Sequence, residues 1–254
     1  MTKPTFGSLF AGIGGFDLGL ERAGWQCRWQ VEIDDFCNRV LEKHWPHVKR
    51  YRDIRELREG DLEPVDLICG GFPCQDISDA GRCAGITGER SGLWREMVRT
   101  LRMVRHQYAL VENVAALLHR GMGTVLGDLA EIGHDAEWDC LPACFLGAPQ
   151  RRERVFVLAN PNDARLEGPF GLRQPATPGY GQPPSCCQSG RPVRRPWPPG
   201  PGEVERIPRM ADGLPRKMVS FARRCVVGAY GRALVPQVAE WIGRRILEGK
   251  EGEA

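Results

Sequence analysis

The opening of the chain limits its fold more than any other stretch. Thr5 to Leu9 reads as a short strand, Phe10-Ala11-Gly12-Ile13-Gly14-Gly15 as a glycine-rich turn, and Phe16 to Ala23 as a helix. Strand, glycine turn and helix in that order begin a doubly wound α/β fold. The glycines let the backbone approach a ligand, and the helix N-terminus faces it. Taken alone, such a turn is as consistent with a plain tight turn as with a ligand loop.

The alternation continues down the chain. Trp25, Cys27, Trp29, Val31 and Ile33 alternate with polar residues, as a strand does. Val65 to Cys69, Tyr108 to Val114, Ala136 to Leu141 and Val155 to Ala159 read as further strands. Between them, Phe36, Val40 and Leu41 mark one helix; Leu93, Met97, Val98, Leu101 and Val104 a second; Val125, Leu126, Leu129 and Ile132 a third. Pro236 opens an amphipathic helix carrying Val238, Trp241, Ile242 and Ile246.

Chemistry-bearing residues cluster at strand ends. Gly70, Gly71 and Pro73 are expected to break the strand sharply and to leave Cys74 on the rim of the sheet, where open α/β sheets bind ligands. The alternative is that Cys74 is one buried thiol among ten. Glu32 ends the second strand, a place for ribose hydroxyls, while Asp34 or Asp35 caps the next helix. Asp53 is either an acceptor for an adenine amino group or a solvated loop residue. Glu112 ends an apolar strand, which is costly for a carboxylate unless it is paired or useful. Gln150, Arg151, Arg152 and Arg154 form a candidate phosphate and base-edge contact, or a charged turn. Residues 76 to 92 are small and polar, and read as a long loop beside the site.

Net charge is only +3, though Arg greatly outnumbers Lys, which suits bidentate contacts to phosphate and guanine. No apolar stretch reaches membrane-spanning length and no secretory leader is apparent, so a cytoplasmic protein with reduced thiols is expected. The cysteines have no zinc-type spacing, and no metal is expected. From Asn160 to about Pro208, Pro, Gly, Ser and Arg dominate. Such a segment is a linker, or a surface that orders on a partner.

Taken together these pieces resemble the DNA (cytosine-5) methyltransferase family. Phe6 to Gly15 is similar to its adenosylmethionine loop; Val31-Glu32-Ile33-Asp34 and Asp53-Ile54 to its ribose and adenine positions; Gly71-Phe72-Pro73-Cys74-Gln75 to its Pro-Cys nucleophile motif. Arg90-Ser91-Gly92-Leu93-Trp94 resembles the segment that begins the family's next cofactor-side helix, Glu112-Asn113-Val114 the catalytic glutamate motif, and Gln150-Arg151-Arg152-Glu153-Arg154 the Gln-x-Arg-x-Arg motif.

The resemblance implies a Rossmann-like adenosylmethionine-dependent fold with a small, irregular target-recognition segment. It implies a catalytic domain over 1–159, a recognition segment or linker over 160–208, and a C-terminal segment over 209–254 whose helix returns to the catalytic domain. Cys74, Glu112, Arg152 and Arg154 are implied as catalytic. Phe10, Gly12, Gly14, Gly15, Glu32, Ile33, Asp53 and Ile54 are implied to bind S-adenosyl-L-methionine, and Pro73, Gln75, Asn113 and Gln150 the substrate. Double-stranded DNA is the implied partner of a monomer in a prokaryotic or phage-infected cytoplasm, with a cognate restriction endonuclease as companion. The last family motif departs, reading Gly231-Arg232-Ala233 with Arg for Asn. A DNA-binding relic and a tRNA cytosine-5 methyltransferase are the alternatives; a nicotinamide oxidoreductase would leave Cys74, Glu112 and the arginines unexplained.

Overall fold

The computed structural model describes residues 2–73, 92–146, 152–161 and 234–251. Cys74, Gln75, Gln150, Arg151 and the Gly231-Arg232-Ala233 motif lie outside the described residues, as does nearly all of 160–233. The elements in chain order are β1 (Thr5–Leu9), α1 (Gly15–Arg22), β2 (Gln26–Val31), α2 (Asp35–His44), β3 (Lys49–Tyr51), a 3-10 turn (Ile54–Glu56), β4 (Leu67–Gly71), α3 (Gly92–Met103), β5 (Tyr108–Val114), α4 (Leu117–Arg120), α5 (Met122–Glu131), β6 (His134–Pro142), a second 3-10 turn (Ala143–Leu146), β7 (Glu153–Pro161) and α6 (Pro236–Glu251).

The described strands form one seven-stranded sheet in the order β3-β2-β1-β4-β5-β7-β6. The pairs β1–β2, β1–β4, β2–β3 and β4–β5 are parallel. Among the described strands only β7 is reversed, running antiparallel to both its neighbours. The chain order changes direction at β1 and β4, so the crevice at their C-terminal ends is the topological switch point.

Period-two alternation sends strand residues to two separate cores. On one face Leu9, Ile68, Ala109, Val111 and Val157 pack with Trp94, Met97 and Leu101 of α3 and Val125 and Leu129 of α5. On the other, Phe6, Leu67, Cys69, Leu110 and Phe156 pack with Phe16 and Leu20 of α1 and Val238, Ile242 and Ile246 of α6. Both faces are covered, which is why the central strands read as nearly continuous apolar runs.

α6 lies on α1 at backbone-contact distance. A Cβ added at Gly19 would sit 2.3 Å from the Pro236 carbonyl oxygen, and the Trp25 indole N–H donates to Gly243 O at 3.1 Å. The helix therefore braces α1 directly behind the glycine turn.

One expectation needs correction. Gly70 and Gly71 do not break the strand; β4 continues through both. A Cβ at Gly70 would lie 2.8 Å from Leu9 O, so glycine here permits close strand contact rather than a turn. Among the described cysteines, Cys27, Cys37, Cys69 and Cys140 are free thiols.

Candidate active site

The first half of the site grows from β1 and β2. Gly14 sits at φ 85°, in the left-handed region open to glycine, and starts α1. Phe10 is also left-handed, at φ 52°, which a side chain adopts at some strain. Glu32, just past β2, fastens the turn: its Oε2 accepts from Gly12 N at 2.7 Å and its Oε1 from Asp34 N at 2.8 Å. Asp34 in turn is the helix cap, its Oδ1 accepting from Cys37 N at 2.9 Å. Of the two aspartates considered, Asp34 caps; Asp35 instead pairs with Arg52.

Ile33 does not belong to the strand alternation. It projects beside Glu32 with 58% of its surface exposed. Asp53 caps the 3-10 turn, accepting from Arg55 N at 3.0 Å. The Arg55 guanidinium beside it holds its carboxyl below the ordinary range. Ile54 is buried beneath.

A carboxylate that sequence reasoning does not single out lies under this half. Asp17 of α1 is fully buried, and accepts from Gln30 Nε2 at 2.8 Å, Ser8 Oγ at 3.1 Å and Cys27 Sγ at 3.5 Å. Burial pushes its pKa up to about 6 against those hydrogen bonds. An acidic residue on the apolar face of a helix was the available signal.

The second half lies on β4, β5 and β7. Parallel register places Gly71 opposite Glu112, and a Cβ added at Gly71 would meet Glu112 Oε2 at 2.6 Å. The glycine thus makes room for the carboxylate. On the other side Arg154 Nε lies 2.9 Å from Glu112 Oε1. Burial raises the Glu112 pKa to about 6, while the Arg154 and Arg152 charges pull it down. Arg152 itself is left-handed, at φ 30°.

Asn113 is buried. Its amide donates to Phe72 O at 3.1 Å and its Oδ1 accepts from Val114 N at 2.8 Å. That side chain therefore ties β5 to the strand end that leads through Pro73 towards Cys74. The structure thus gathers Glu112, Arg154, Asn113 and Pro73 around one strand end, and Phe10 to Gly15, Glu32 and Ile33 around another.

The family model for C-5 cytosine-specific DNA methylases matches residues 5–184. The chain belongs to this family. Members of the family use S-adenosylmethionine as methyl donor. Among curated relatives, the type II methyltransferase M2.BsuMI of Bacillus subtilis (strain 168) is 39% identical over 161 residues, 60% of this chain and 41% of the relative. M.HhaI of Haemophilus parahaemolyticus is 30% identical over 171 residues, 66% of this chain and 52% of the relative. The match thus spans about half of these relatives or less.

Two solved structures share the fold. A putative DNA modification methyltransferase from an Escherichia coli prophage has a TM-score of 0.56 at 24% identity, over 66% of this chain and 50% of that one. A Spodoptera frugiperda DNMT2 has a TM-score of 0.57 at 15% identity, over 98% of each chain. Among the described residues of this family member, no group of three or more His, Cys, Asp or Glu could hold a metal ion, and no helix is long and apolar enough to cross a membrane.

Proposed function

We propose that this chain transfers a methyl group from S-adenosylmethionine to C5 of a cytosine in double-stranded DNA. The observation that carries the reading is Glu112: a largely buried carboxyl with a pKa of about 6, held by Arg154 beside the strand that leads to Pro73 and Cys74. Its pKa lets it be protonated near neutrality once solvent is excluded. The curated relatives bear the name type II methyltransferase, which supports a modification role and a restriction endonuclease as companion.

The residues suit the donor. The large apolar face of Ile33, exposed beside a carboxylate, is unfavourable in water and suits an adenine ring. Glu32 accepts one backbone N–H on each oxygen and keeps lone pairs for ribose hydroxyls. A Cβ built at Gly12 would meet nothing nearer than 4.0 Å, so that turn presents an open face. Asp53 is already engaged by Arg55, so an adenine amino group would share its carboxylate. S-adenosylmethionine, when bound, supplies an electrophilic methyl carbon.

Cytosine C5 is a weak nucleophile. Addition of the Cys74 thiolate to C6 forms a sulfur–carbon bond and moves the ring π electrons towards N3 and C5. Protonated Glu112, donating to N3, stabilises the charge that develops there. After C5 carries the methyl group, loss of its proton to a base and departure of the thiolate restore the aromatic ring. The base must first leave the helix stack at roughly a few kcal/mol; methyltransferases are a named case of that general figure. In this reading Arg152 and Arg154 hold the extruded nucleotide, and their charges lower the Glu112 pKa.

The test is incubation of the chain with labelled S-adenosylmethionine and mixed-sequence duplex DNA, with tRNA in parallel. The expected product is 5-methylcytosine in DNA, abolished by Cys74→Ser. Absence of product from soundly folded wild type would overturn the reading, and product in tRNA alone would redirect it.

A further inference from the structure

One helix touches both halves of the site. α3 carries Trp94 near its start and Arg99 a turn and a half later, and neither enters the mechanism above.

Trp94 is almost fully buried, with its ring 5.2 Å from that of Phe72 at 46°. Its indole N–H donates to Asp128 Oδ2 of α5 at 2.6 Å. Phe72 is thus held twice: its ring by Trp94, its carbonyl by Asn113. Pro73 follows with its φ fixed by the ring, so little backbone freedom remains before Cys74.

Arg99 reaches the other half. Its Nη1 donates to Leu57 O at 2.7 Å and its Nη2 to Ile54 O at 2.6 Å, while Nε donates to Glu96 Oε2 at 2.7 Å. The planar fork closes the end of the 3-10 turn whose start is capped by Asp53. A guanidinium can satisfy two carbonyls and a carboxylate together; a lysine ammonium cannot hold that geometry.

We propose that α3 registers the two halves of the site against each other, Arg99 positioning the turn of Asp53 and Ile54 and Trp94, held by Asp128, positioning the strand end that leads to Cys74. This inference rests on the methyltransferase reading. Both act as positioning residues, since neither touches a reacting atom. Each hydrogen bond involves a charged group in a partly buried place, where loss is worth roughly tenfold to a hundredfold.

The consequence is a split that a merely structural role would not produce. Arg99→Lys is expected to weaken S-adenosylmethionine binding about tenfold or more while leaving kcat at saturating donor unchanged. Trp94→Phe and Asp128→Leu are expected to lower kcat about tenfold or more while leaving donor affinity unchanged. Asp128→Asn keeps an acceptor for the indole N–H and should restore most of the rate.

The experiment is calorimetric titration of the whole chain with S-adenosylmethionine, paired with steady-state methylation of duplex DNA, at a temperature where thermal melts show every variant folded. Should Trp94→Phe fail to fold, Asp128→Leu reads the same contact from a half-buried position. An active wild type whose variants move both quantities together, or neither, overturns the inference alone. A wild type that neither binds the donor nor methylates overturns it together with the proposed function.

Discussion

Glu112 gives the methyltransferase reading a measurable thermodynamic consequence. N3 of neutral cytosine is a hydrogen-bond acceptor. An ionised carboxylate facing it would set two acceptors together in a dry site, so seating the base requires a proton on Glu112. With a pKa of about 6, roughly nine carboxyls in ten are ionised at pH 7 in the free protein, so binding should take up about 0.9 proton. Each pH unit above 6 then opposes binding by about 1.4 kcal/mol, a factor of ten. The direction follows from the form required: the bound state holds more protons, so affinity falls as pH rises.

The perturbation is Glu112→Gln, whose amide can donate to N3 and does not titrate. The assay is calorimetric binding of a duplex that the wild type methylates, between pH 6.5 and 8, repeated in buffers of different ionisation enthalpy. Wild-type affinity should drop roughly tenfold per pH unit relative to the variant, with the proton uptake confined to wild type. Equal slopes in the two proteins, or an uptake near zero at pH 7, would refute the assignment of Glu112 as the N3 donor.

Three further outcomes follow from the same geometry. Asp17 has a folded pKa of about 6 against 3.8 in the open chain. Its contribution to stability is therefore fully present below the unfolded value and lost as pH rises through 6. Urea denaturation should show the gap between Asp17→Asn and wild type shifting in favour of the variant by about 2.4 kcal/mol from pH 4 to pH 7; a gap that stays constant would mean the carboxyl titrates normally. Glu32→Ala removes the acceptor of two backbone N–H groups and should weaken S-adenosylmethionine binding by roughly tenfold to a hundredfold, measured calorimetrically; unchanged affinity would place the donor elsewhere. Gly71→Ala drives a methyl group against Glu112 Oε2, 2.6 Å away. It should abolish methylation while circular dichroism shows the sheet retained, and full activity would show that the carboxylate need not stay where it is.

Much of the fold was legible because its signals are local. The strand over Thr5–Leu9, the strand over Tyr108–Val114 and the helix opening at Pro236 fall where alternation, helical spacing and proline place them. The ambiguity at Asp34 and Asp35 was resolved by one hydrogen bond. Where local reading failed, a distant neighbour was the reason. Glycine signals a turn in isolation, yet Gly70 and Gly71 continue β4 because Leu9 and Glu112 crowd them from the adjacent strands. Trp94 has the helical spacing of an ordinary core residue, and nothing local tells that its indole meets Asp128 while its ring meets Phe72.

The sequence by itself thus determined the elements, the alternation of apolar faces and the strand ends on which carboxylates, glycines and arginines sit. Only the tertiary structure decided which of them meet. Glu112 faces Arg154 because β7 runs against β5, Glu32 fastens Gly12 because β2 lies beside β1, and Asp17 is buried because α1 packs across both. Periodicity is set by neighbours along the chain. A raised pKa or a satisfied carboxylate is set by charges and hydrogen-bond donors that strand pairing brings from far along it.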